Sequence, residues 1–108
     1  KFFSRQFIIR KKKEISPSEM QTLLTEYSIW SSKYKSSGNY VGGFPLNDDC
    51  YTIPYGDNKT PQMLTDSPSN ISGYIHIKSE DIEEVIKIAK ECPLIKFNQI
   101  EIRPTIKY

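Results

Sequence analysis

Five residues in the second half of the chain carry side chains able to act on a small molecule: Asp66, Tyr74, His76, Glu101 and Arg103. A carboxylate and an imidazole, here Asp66 and His76, are the usual types for general acid–base work. His76 is the single histidine, and imidazole is the side chain that ordinarily titrates near neutrality. Arg103 could grip a carboxylate or phosphate through two parallel hydrogen bonds, with Glu101 and Tyr74 beside it as further ligand contacts. Each residue also has a plainer reading. Asp66 precedes Ser67-Pro68, where an aspartate serves a turn by accepting backbone N–H bonds. His76 suits a hydrogen-bonded place in a subunit interface, since no second His or Cys/His cluster supports a metal. Glu101 lies two residues from Arg103 on one strand face and can neutralise it. Tyr74, a large amphipathic ring, suits an interface anchor. The plainer reading is preferred in each case.

These residues need elements to hold them. Gln6-Phe7-Ile8-Ile9-Arg10 is rich in β-formers and reads as a strand, which Phe2 and Phe3 extend. Ser16-Pro17-Ser18-Glu19 opens a helix, with Ser16 as cap, Pro17 in the first turn and Glu19 completing a capping box. Met20, Leu23, Leu24, Tyr27, Trp30 and Tyr34 follow at helical spacing as one apolar stripe, and Gly38 ends the helix. Tyr40 to Leu46 is a second strand. Its Gly42-Gly43 and Pro45 suggest an edge, a bulge or the close approach of another backbone. Tyr51 to Tyr55 continues it, and Gln62 to Thr65 pairs back as a hairpin around the turn at Gly56–Lys59. Ile71 to Lys78 alternates. Ile71, Gly73, Ile75 and Ile77 point one way, and Ser72, Tyr74, His76 and Lys78 the other. Ser79 caps a second helix whose buried stripe is Ile82, Val85, Ile86, Ala89 and Cys92, and Pro93 stops it. Gln99 to Arg103 is the last strand, ended by Pro104.

The order is strand, helix, strand with an inserted hairpin, strand, helix, strand. A βαββαβ order of this kind reads as α+β, a split βαβ, ferredoxin-like sheet with both helices on one face. The opposite face then carries Tyr74, His76, Glu101 and Arg103, aromatic and charged together. A second subunit or a ligand is expected to cover it.

Composition narrows the function. The 108 residues suit one domain, 1–108. A net charge of +2 gives little reason to expect nucleic acid. The one basic run, Arg10-Lys11-Lys12-Lys13, could touch an anion but reads more simply as a solvated strand end. Cys50 and Cys92 stand far apart with no CxxC or Cys/His cluster, so no zinc site is implied and reduced thiols in a cytoplasm are the simpler expectation. The apolar runs are too short to span a bilayer, and the first residues lack a signal-peptide core. The chain begins at Lys1 without a methionine, so preceding residues are expected. Gly42-Gly43 is not a phosphate loop, and no nucleotide or other cofactor is expected. Trp30 and the helix tyrosines sit at core spacing.

The same residues resemble a known family. Ser16 to Gln21 is similar to an SPEEMQ helix start, and Val41 to Leu46 to a VGGxPL strand. Thr65-Asp66-Ser67-Pro68 resembles the beginning of a TDGPF motif, and Ser72-Gly73-Tyr74 resembles GGF/GGY. Cys92-Pro93 and Glu101-Ile102-Arg103-Pro104 are similar to CP and E-V-R-P. Together they resemble the YCII-related family in its DGPF branch, over nearly the whole chain. The resemblance implies a homodimeric α+β barrel in which two ferredoxin-like sheets face each other, with a cleft between sheet and helices or between subunits. It implies a small-molecule or regulatory role, and a link to transcription-regulatory proteins, since some family members adjoin alternative sigma factors. The chain departs from the pattern after Asp66, where Ser67-Pro68-Ser69 replaces Gly-Pro-Phe and the loop is shorter. The His–Asp pair associated with the YCII branch has no match either, with Glu19 near the His position and Glu91-Cys92-Pro93 in place of the Asp segment.

Three functions remain in view: a small cytoplasmic homodimeric binding or regulatory domain, an enzyme using Asp66 and His76 as acid/base groups with Arg103 holding an anionic substrate, and a purely structural interaction domain. The altered loop after Asp66 favours the first or third.

Overall fold

In a computed structural model, residues 4–106 are described. The expected strand extension through Phe2 and Phe3 lies outside them. The elements run β1 (Ser4–Lys11), α1 (Pro17–Ser36), β2 (Tyr40–Pro45), β3 (Cys50–Thr52), β4 (Gln62–Leu64), β5 (Ile71–Lys78), α2 (Ile82–Glu91), a 3₁₀ turn (Pro93–Lys96) and β6 (Asn98–Pro104). Four strands form one sheet in the order β2-β5-β1-β6, and every neighbouring pair is antiparallel. Among the described residues, β3 and β4 pair only with each other. No helix among the described residues is long and apolar enough to cross a membrane.

The pleat decides what each strand shows to each side. Phe7 pairs with Ile75 and Ile102, and Ile9 with Gly73 and Ile100. Phe7, Ile9, Ile75 and Ile77 are buried, together with Trp30 and Tyr34 of α1 and Val85, Ile88 and Ala89 of α2. Both helices therefore cover the same face of the sheet. Burying a side chain of this size stabilises by about 1.5–3 kcal/mol, so this one layer of contacts holds the fold.

Local signals explain the helices. Ser16 Oγ accepts from the Glu19 N–H at 3.2 Å, and Glu19 accepts from the Ser16 N–H at 3.0 Å, so the capping box closes both ways. Gly38 follows the cap residue Ser37 with φ of +84°, the left-handed turn that glycine adopts without strain. The cap of α2 differs from the sequence reading. Asp81, not Ser79, is the N-cap, accepting from the Glu83 N–H at 2.9 Å. Ser79 is buried two residues earlier, donating to Glu84 at 2.6 Å and accepting from the Asp81 N–H. The stripe of α2 turns accordingly: Ile88 is buried where Ile86 was expected, and Ile82 is exposed.

Trp30 of α1 donates its indole N–H to the Ile88 carbonyl at 3.1 Å and stands among Tyr27, Tyr34 and Tyr40. Tyr34 donates to the Glu91 carboxylate, which Lys33 also reaches at 3.1 Å.

The middle third corrects one expectation. Tyr51–Tyr55 does not continue β2. Cys50–Thr52 instead opens a separate ribbon, with Cys50 opposite Leu64 and Tyr51 opposite Met63. β2 is an edge strand, and its register slips between Tyr40 and Gly42. A Cβ on Gly43 would meet the Tyr74 carbonyl oxygen at 2.7 Å. The edge, the bulge and the close approach suggested by the glycines therefore all occur in this one strand.

Candidate functional site

A cavity of about 420 Å³ lies between α1 and the β2–β5 side of the sheet. The helix contributes Met20, Leu23, Leu24 and Tyr27, while the sheet contributes Ile9, Gly43, Gly73 and Ile75. An apolar wall with a few polar groups is the usual form of a small-molecule site. Met20 and Leu24 belong to the apolar stripe of α1, yet both are exposed. They overhang the edge strand, where the glycines supply no side chain to meet them, and the space left beneath is the cavity.

Polar groups gather at one end. Lys11 follows Phe7 and Ile9 on the helix-facing side of β1 and lines the cavity with Glu14 and Asp48. Its ammonium lies 3.1 Å from Glu14 and 3.9 Å from Asp48. The hydrogen bond and charge of Glu14 hold the Lys11 pKa above its ordinary value, with smaller help from Asp48 and Asp66. Lys11 therefore stays charged. Deeper in, Ser72 donates to Asn98 Oδ1 at 2.9 Å, and Asn98 donates to the Leu94 carbonyl at 2.9 Å. That pair is satisfied internally and forms a fixed polar floor.

The five residues singled out from the sequence divide among three places. Asp66 lies on the exposed loop after β4, within electrostatic reach of Lys11. The Lys11 N–H bonds the Asn70 carbonyl at the start of β5, so Asp66 belongs to that end. His76 stands five residues further along β5, about 17 Å at 3.3 Å per residue. It is half-buried on the face away from the helices, between Gln6 and Gly42. Its Nε2 is shielded from solvent and has no hydrogen-bond partner among the described residues.

Tyr74 faces the same way, with its ring 6.1 Å from that of Phe44, and it also borders the cavity. Arg103 is largely exposed and lies 3.5 Å from Glu101. Glu101 in turn accepts from Arg10 Nε at 3.1 Å. The carboxylate thus sits between two guanidiniums, one of them from the neighbouring strand. His76, Glu101 and Arg103 share the open sheet face but not the cavity, and Asp66 stands apart from all three. Among the described residues, no three His, Cys, Asp or Glu side chains lie together in a way that could hold a metal ion.

Sequence reasoning placed Arg10 and Lys11 in a solvated basic run and so missed both. Strand alternation was the signal available. Lys11 is two residues beyond Ile9 and must share its face, whereas Arg10 must take the other.

No family model matches the chain, and no curated protein matches its sequence. Solved structures do resemble it. A protein described as "Putative Chlorite dismutase" aligns over 95% of this chain with a TM-score of 0.56 and 8% identity. The chain spans less than half of that protein, 43% of its length. The 5-chloro-2-hydroxyhydroquinone dehydrochlorinase of Burkholderia phenoliruptrix, solved with 2,5-dihydroxybenzoquinone, aligns over 96% of this chain and 94% of its own, with a TM-score of 0.48 and 17% identity. At 8% identity the first likeness is one of fold alone, and the fold of this chain is an antiparallel sheet with two helices in a mixed α+β chain.

Proposed function

We propose that the chain is a YCII-related domain of the DGPF type, ferredoxin-like in topology and an α+β barrel as a homodimer, which binds a small, mainly apolar molecule between α1 and the sheet. The observation that carries this reading is the cavity: about 420 Å³, walled by apolar side chains, with Lys11 and its carboxylates at one end. Drug-sized molecules occupy clefts of roughly 300–1,000 Å³. The likeness in fold to a chlorite dismutase-type chain agrees with this class. The open sheet face, bearing Tyr74, His76, Glu101 and Arg103, is the surface that the second subunit covers. A binding or regulatory role in the cytoplasm fits better than acid–base catalysis by Asp66 and His76, because those two groups sit toward opposite ends of β5.

The test is a thermal-shift screen of the full chain against a pool of lipophilic amines, fatty acids and hydroxylated aromatics, because a ligand of the native state raises its melting temperature. Leu24→Trp, which fills the cavity from α1, serves as control. The reading holds if at least one compound stabilises the wild type and not the variant. It is overturned if no compound shifts the wild type, or if the shift survives Leu24→Trp unchanged.

A further inference from the structure

The β3–β4 hairpin is a two-stranded sheet of its own. A lone two-stranded hairpin is at best marginally stable in water, so something beyond its own ladder must hold it. Its pleat gives it two unlike sides. Cys50 and Leu64 form one cross-strand pair, and both are half-buried. The next pair, Tyr51 and Met63, points the opposite way and is 74% and 67% exposed. Ile53 and Tyr55 beyond the strand end are 66% and 100% exposed. One side of the hairpin is thus partly sheltered, and the other presents bare apolar surface.

The same chain carries a second apolar patch that the hairpin does not cover. Phe44 and Tyr74 lie side by side on the open face of the sheet, both exposed. Ile8 is the neighbour of Tyr74 on β1, and the shielded Nε2 of His76, without a partner among the described residues, belongs to the same face. The molecule is also spread out. Its radius of gyration is 15.8 Å, against about 13 Å for a compact chain of this length.

We propose that the β3–β4 hairpin is an arm that lays Tyr51 and Met63 on the open sheet face of a second copy of this chain, beside that copy's Phe44 and Tyr74, each copy both giving and receiving an arm. Two arguments select a second copy as the occupant. The first is area. Aromatic side chains bury about 150–250 Å² each. The exposed parts of Tyr51, Tyr55, Phe44 and Tyr74, with Ile53 and Met63, therefore reach on the order of 800 Å², the share one partner contributes to a standard interface. The second is closure. Arm and acceptor lie on one chain, so a two-fold axis satisfies both patches at once and leaves none free to propagate. The acceptor patch of Phe44 and Tyr74 lies on the sheet face assigned above to the second subunit, and the inference rests on that dimer reading.

The experiment is sedimentation of the full chain over a dilution series for the wild type, the double variant Tyr51→Glu/Met63→Glu, and Ile8→Glu at the centre of the sheet face. Tyr51 and Met63 are exposed in the single chain, so the double variant retains its circular dichroism spectrum. It is expected to weaken the dimer by about 100-fold or more, as loss of a central aromatic anchor does. Hydrogen exchange in residues 50–64 of the wild type is expected to quicken on dilution, a readout that needs no variant. A wild type that stays monomeric overturns both the arm and the dimer. A dimer broken by Ile8→Glu but indifferent to Tyr51→Glu/Met63→Glu, with exchange in the hairpin unaffected by dilution, overturns the arm alone and leaves the face-to-face dimer standing.

Discussion

Glu101 shows what one side chain contributes on the open face. It sits between Arg10 at 3.1 Å and Arg103 at 3.5 Å, and all three are partly or largely solvated. Solvated ion pairs are worth about 0–1 kcal/mol, so Glu101→Gln should cost about 1 kcal/mol, more at low salt. In double-mutant cycles by urea unfolding, Arg10 should couple to Glu101 more strongly than Arg103 does. The Glu101–Arg103 pair was legible because the two are neighbours on one strand face. Alternation put Arg10 on the same open face, but its pairing with Glu101 was not legible, because that depends on the β1–β6 register, which no local pattern reveals. The thiols offer a second check. Burial pushes the Cys92 pKa up to about 12, and its side chain is fully enclosed, whereas Cys50 is half-buried. A thiol is reactive only as thiolate. At mildly alkaline pH an aromatic disulfide reagent should therefore titrate Cys50 in the folded protein and Cys92 only after denaturation.

Among the elements, α1 was the most readable, because its cap, proline and Glu19 all speak for the same start. α2 was less so. Ser79 and Asp81 are both good caps by type, and only the backbone hydrogen bond to Glu83 identifies Asp81. Asp81→Ala should cost about 1 kcal/mol, the usual loss for an N-cap. Helix ends and the helix seam also give the fold an acid limb. Hydrogen bonds from the Ser16 backbone lower the Glu19 pKa, and those from Tyr34 and then Lys33 lower that of Glu91. A carboxylate with a depressed folded pKa stabilises fully above its unfolded value, and that contribution fades as pH falls through the folded one. Melting curves should therefore show the advantage of wild type over Glu91→Gln at neutral pH and its closure below the ordinary carboxylate range. In the sheet, Gly43→Ala should destabilise markedly, since its methyl would press the Tyr74 carbonyl and push β2 from β5.

For the whole molecule, the placement of both helices on one face was legible from alternation. The isoleucines of β5 and the stripes of α1 and α2 can bury one another only in that arrangement. The principal extents, 45 × 43 × 18 Å, fit a plate two layers thick. The cavity was not legible. It arises because α1 carries apolar residues past the width of a sheet whose edge strand holds glycines, and only three-dimensional coordinates reveal that overhang. The single tryptophan lies at the centre of this plate, on the helix seam, ringed by tyrosines and bonded to the Ile88 carbonyl. Its emission is therefore a narrow witness. It will redden when the two helices part during unfolding, yet pairing of two copies through their bare sides will leave it almost silent, so a fluorescence titration that sees nothing is no argument against assembly.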